Sequence, residues 1–120
     1  MALGSPASAQ EGVPSGQPMA LWQVLWEAVE GQGNQVVLRF LAPGIAREDG
    51  TVAFEAAQAD MDWLCDTHGR PVAGLAYGRA ASLVIELLDR PVPRGVTDPA
   101  ATRFFETYAI EEGACVAQSF

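Results

Sequence analysis

The sequence predicts an α+β domain: a mostly antiparallel sheet of four to five strands, two helices packed on one of its faces, and a C-terminal β-hairpin. Three observations carry this. Ala81-Ser82-Leu83-Val84-Ile85-Glu86-Leu87-Leu88 is the longest apolar run in the chain and is stopped by Asp89-Arg90-Pro91. A run of that length and bounding reads as a buried central strand. Two groups of apolar residues then recur at helical spacing, Leu21, Trp22, Leu25, Trp26, Val29 and Ala57, Met61, Leu64, Cys65, His68. Finally, Glu112-Gly113 separates the strand-like segments 104–111 and 114–120 and has the chemistry of a hairpin turn.

Composition bounds the answer. A chain of 120 residues is one domain and can bury one core. Its 49% apolar content includes twenty alanines, so large core residues are few and a covalent staple would help. Seven basic residues, all arginine, against fifteen acidic ones leave a net charge of −8. Such a surface repels phosphate backbones and anionic lipid, which argues against nucleic acid as a partner. No apolar run reaches the roughly 20 residues of a membrane-spanning helix.

Residues 1–9 end in Ala7-Ser8-Ala9 before Gln10, a small-x-small pattern of the kind signal peptidase cuts. The expectation is that 1–9 is the remnant of a signal peptide, the alternative being a flexible tail. Residues 10–17 follow as a linker with turn chemistry, and 18–120 form the single domain. Pro18 suits the first turn of a helix carrying the Leu21 to Val29 stripe, which Gly31 ends. That stripe, with its two tryptophans, is expected to pack on the sheet.

After a Gly31-Gln32-Gly33-Asn34 turn, residues 35–41 alternate as a strand, with Val36, Leu38 and Phe40 on one side. Pro43-Gly44 and Glu48-Asp49-Gly50 punctuate a loop, and 51–54 are expected to pair briefly as another strand. The second helix, through Ala57 to His68, is expected to end at Gly69 and Pro71. Residues 72–77 read as a short helical turn or coil. Beyond the central strand, Arg90-Pro91-Val92-Pro93-Arg94-Gly95 is an extended surface connection, because two prolines forbid a paired inner strand. Thr97-Asp98-Pro99 signals the start of a helix of one or two turns. In the closing hairpin Ile110 should oppose Cys115, Tyr108 should oppose Ala117, and Phe105 should oppose Phe120.

Cys65 and Cys115 lie 50 residues apart, on the second helix and the last strand. An even pair in an exported domain suggests a disulfide; two buried thiols acting as small hydrophobes are the alternative. Asp62, Asp66 and His68 form the densest group with metal or acid–base potential. However, His68 is the only histidine, a bridged Cys65 cannot ligate, Asp60 suits a helix cap, and the other acids suit a solvated face. Arg90 and Arg94 could clasp an acidic partner through their guanidinium forks. No Gly-x-Ser-x-Gly elbow, phosphate loop or dinucleotide fingerprint is present.

The Asp60-Met61-x-x-Leu64-Cys65 segment, the strand ending in Asp89-Arg90-Pro91-Val92, the Thr97-Asp98-Pro99 turn, Phe104-Phe105-Glu106-x-Tyr108 and Glu112-Gly113-x-Cys115 occur in that order. Over residues 13–115 this resembles a family of small exported alphaproteobacterial proteins of unknown function. The resemblance implies a signal peptide and paired cysteines, and no activity or cofactor. The reading expected is therefore a periplasmic or secreted module that binds or accompanies another envelope protein. The competing reading is a small hydrolase or metal-dependent enzyme centred on the Asp60 to His68 helix.

Overall fold

The structure, a computed structural model, describes residues 8–10, 12–31, 33–73 and 82–118. One sheet runs in chain order: β1 (Ser8–Gln10), β2 (Met19–Val29), β3 (Gly33–Leu41), β4 (Ser82–Leu88), β5 (Arg103–Glu111) and β6 (Ala114–Ala117). Only β3 and β4 are parallel; every other neighbouring pair is antiparallel. β1 is a three-residue edge, so five strands of four residues or more make up the sheet proper. The connection from β3 to β4 carries a 3-10 turn (Pro43–Ile45), α1 (Phe54–Leu64), a π-helical turn (Cys65–Gly69) and α2 (Arg70–Ala73).

The expected pair of helices is thus a single helical stretch. The first of the two, over the Leu21 to Val29 stripe, is instead the long strand β2. The reason lies in a bulge at Trp22: β2 pairs Leu21 with Phe40 and Gln23 with Arg39, which shifts the alternation by one residue. That shift, with apolar residues on both faces, mimics a helical period. The Gly31 and Gly33 turn, where both glycines hold positive φ, then closes a β2–β3 hairpin.

The core lies between one sheet face and the helix. Val36, Leu38 and Phe40 from β3, Leu83, Ile85 and Leu87 from β4, and Tyr108 from β5 pack against Ala57, Met61, Leu64 and Cys65. These are the residues that the two spacings, alternation in strands and i, i+4, i+7 in the helix, place on facing surfaces. Gly69 sits where the helix presses hardest on the sheet: a Cβ there would stand 2.7 Å from Leu83 Cδ1.

Several local expectations are corrected. Residues 51–53 form no strand, and Phe54 already begins α1. The helix does not stop at Gly69 and Pro71. It widens into a π turn, with the Arg70 N–H donating to the Cys65 carbonyl, and continues through Pro71 into α2; Pro71 has no N–H to give the preceding turn, and the Arg70 side chain donates to the Asp66 carbonyl instead. Thr97-Asp98-Pro99 starts no helix; Asp98 Oδ1 accepts from the Ala100 N–H and holds an isolated turn. Asp60 caps nothing, since Ala53 is the N-cap. It is fully buried and accepts hydrogen bonds from the Ser15 N–H and hydroxyl and from Gln17 Nε2. The 12–17 segment is thereby fastened to the helix, with Val13 in the core. The hairpin register is as expected for Ile110–Cys115 and Tyr108–Ala117; Phe120, residues 1–7 and most of 72–77 lie outside the described residues.

Candidate functional site

Two polar constellations stand out, one on each face of the sheet. On the face away from the helix, alternation places Arg39 in the middle of β3 and Glu86 in the middle of β4, directly paired in the parallel register. Both are 1% exposed. Arg39 Nε donates to Glu86 Oε1 at 2.7 Å, its Nη1 donates to Gln23 Oε1 at 2.6 Å, and its Nη2 donates to the Val92 carbonyl at 2.7 Å. The guanidinium also lies 5.0 Å from the Trp22 ring centroid, a cation–π contact.

The 89–102 connection crosses over this pair. Val92 is buried, and Arg94 donates to Glu86 Oε1 at 3.3 Å and to both carboxylate oxygens of Glu27 at 2.9 and 3.0 Å. Arg103 Nε stands 2.9 Å from Glu86 Oε2 as an ion pair without hydrogen-bond alignment. One buried carboxylate is therefore met by three guanidinium groups. The hydrogen bond from Arg94 holds the Glu27 carboxyl below its ordinary pKa, and Glu27 in turn raises Arg94.

On the helix side, the sequence-predicted residues are separated by their own partners. Asp62 accepts the Tyr108 hydroxyl at 2.7 Å. Burial, followed by that hydrogen bond, raises the Tyr108 pKa; burial and then Asp62 raise Glu106. Asp66 accepts the Cys115 N–H at 3.3 Å and faces Arg70 at 3.7 Å. His68 sits edge-on to Trp63, centroids 5.5 Å apart, a contact five residues along that the wide π turn brings together. Cys65 and Cys115 form a disulfide, Cα atoms 6.3 Å apart. Among the described residues no three His, Cys, Asp or Glu side chains converge to hold a metal. Ser15 gives its hydroxyl hydrogen to Asp60, and no histidine lies in that cluster. Of the two arginines singled out from the sequence, Arg94 is drawn into the Glu27–Glu86 network, and Arg90 pairs with its neighbour Asp89.

The family description for a Family of unknown function (DUF6497) matches residues 1–120. The chain belongs to the DUF6497 family. No curated protein and no solved structure matches it. This DUF6497 domain is thus an α+β unit with a disulfide and two internal polar networks. No helix among the described residues is long and apolar enough to cross a membrane.

The Arg39–Glu86 network was absent from the sequence reading, although a signal for it exists. Val-Val-Leu-Arg-Phe-Leu and Leu-Val-Ile-Glu-Leu-Leu are the two most apolar strands, and each carries one charge near its middle, of opposite sign. A charge that cannot leave a buried strand must find its partner in the adjacent one.

Proposed function

We propose that this DUF6497 domain is exported and acts in the periplasm, or outside the cell, as a non-catalytic binding module that accompanies another envelope protein. The observation that carries this reading is the Cys65–Cys115 bond, which joins the helix to the last strand. Structural disulfides belong to oxidising compartments, where small domains use them in place of a larger core. The polar networks support the second half of the reading. Arg39, Asp60 and Tyr108 spend their hydrogen bonds on the fold itself, and Glu86 is enclosed by three arginines. A general acid, base or nucleophile needs to be within reach of a substrate and poised to change state.

The Ala7-Ser8-Ala9 pattern supports cleavage before Gln10, which removes Ser8 and Ala9 and leaves a mature sheet of β2 to β6. The test is cross-linking in intact native cells followed by fractionation and N-terminal sequencing. The expected result is a periplasmic protein that starts at Gln10 and joins one discrete envelope protein. A cytosolic protein with an uncut N-terminus, or no adduct in the envelope fraction, would overturn the reading.

A further inference from the structure

We propose that the face of β5 turned away from the helix joins two copies of this chain into a two-fold dimer, sheet against sheet, with the two β5 strands antiparallel about Thr107. Alternation sets Arg103, Phe105, Thr107, Ala109 and Glu111 on that face, because Phe105 pairs with Glu86. The 89–102 connection shelters Arg39 and Glu86, both 1% exposed, whereas Phe105, beside Glu86, is 53% exposed. It is the most exposed of the large apolar side chains described. Val116 of β6, paired with Ala109, is exposed on the same face. Arg103 is 45% exposed and lies 5.6 Å from the Phe105 ring centroid.

Charge selects a second copy as the occupant. Arg39, Arg94 and Arg103 gather around Glu86, and Glu27 also pairs with Arg94, which leaves one guanidinium in surplus on this face. Glu111, at the other end of β5, makes no ion pair among the described residues. Thr107 lies midway between Arg103 and Glu111. A two-fold axis there sets Arg103 of each copy against Glu111 of the other, and Phe105 against Ala109. Each unmatched charge is thereby met, and three arginines balance three glutamates on the face. A chain of net charge −8 can approach its own copy here without net repulsion. Sheets packed face to face stand about 10 Å apart with strands within about 30° of each other, a gap that arginine and glutamate side chains span from opposite sides.

Cleavage before Gln10 falls at β1, on the far side of the sheet from β5, so both forms of the chain carry this surface. It is independent of the envelope partner proposed above, and the two can fail separately. The purified full chain, oxidised, should sediment at twice the monomer mass at ~100 µM, well above a micromolar Kd. Phe105→Glu should give a monomer at that concentration with an unchanged far-UV spectrum. Glu111→Arg brings like charges together and should raise the dimer Kd at least about tenfold. Thr107→Cys reports the axis directly: a short bis-maleimide should join it copy to copy, and should not join Glu30→Cys, just past the end of β2. A monomeric full chain overturns the proposal; this includes a chain whose β5 face serves a different protein. A dimer that survives Phe105→Glu, keeps its Kd in Glu111→Arg, or joins through Thr107→Cys no better than through Glu30→Cys overturns it as well.

Discussion

Glu86 shows most clearly how individual side chains determine this molecule. It lies 1% exposed among Arg39, Arg94 and Arg103, and removing one member of a buried pair leaves the other charged and unsolvated. Glu86→Gln is therefore expected to cost about 3–5 kcal/mol, measured as the loss in urea unfolding free energy. Glu27 and Arg94 are about one third exposed, and Glu27→Gln should cost less than about 1 kcal/mol. Two glutamates should also show opposite pH dependence. Glu27 has a lowered pKa in the fold; it stabilises above the ordinary carboxylate range, and that contribution is lost as pH falls through its folded value. Glu106 has a raised pKa, from burial and then Asp62, so its ionised form opposes folding. Glu106→Gln should raise the urea midpoint at pH 7 and leave it unchanged at about pH 3, where both forms are neutral. Equal midpoints at both pH values would contradict this.

Among the elements, the helical stretch and the strands differ in how far local sequence decides them. The Ala57, Met61, Leu64, Cys65 spacing becomes one buried helix face as expected. The central strand follows from its unbroken apolar run and the Asp89-Arg90-Pro91 stop, and the hairpin register follows from the Glu112-Gly113 turn, where both residues hold positive φ. β2 was not legible, because a one-residue bulge at Trp22 breaks its alternation, and the partner that makes it a strand, β3, is a tertiary fact. The continuation past Gly69 was hidden for a related reason. A glycine in a helical pattern reads as an end, whereas here it permits close approach to Leu83. Gly69→Ala should cost about 1–3 kcal/mol through overpacking. Combined with Leu83→Ala it should cost less than the sum of the two single changes. Strict additivity in that double-mutant cycle would show that the glycine serves another purpose.

For the whole molecule, a core of few large side chains is supported by one covalent tie. The disulfide spans 50 residues and links the helix to the last strand of the sheet, across the helix–sheet interface that forms the core. Closing a loop of that length should contribute roughly 4 kcal/mol. Reduction, or a Cys65→Ala/Cys115→Ala pair, should lower the unfolding free energy by that order without changing the strand register, as read by backbone amide chemical shifts. The cysteine pairing was readable in the sequence. The charge network was only implicit there, since no spacing rule states which strand lies beside which.

The central claim is that this is a disulfide-tied domain built for an oxidising compartment. Its most direct test is the mass of the protein taken from native cells quenched in acid and alkylated under denaturing conditions. The account predicts a chain beginning at Gln10 with no alkyl group added and two hydrogens fewer than the dithiol. A chain carrying two alkyl groups, at Cys65 and Cys115, would contradict it.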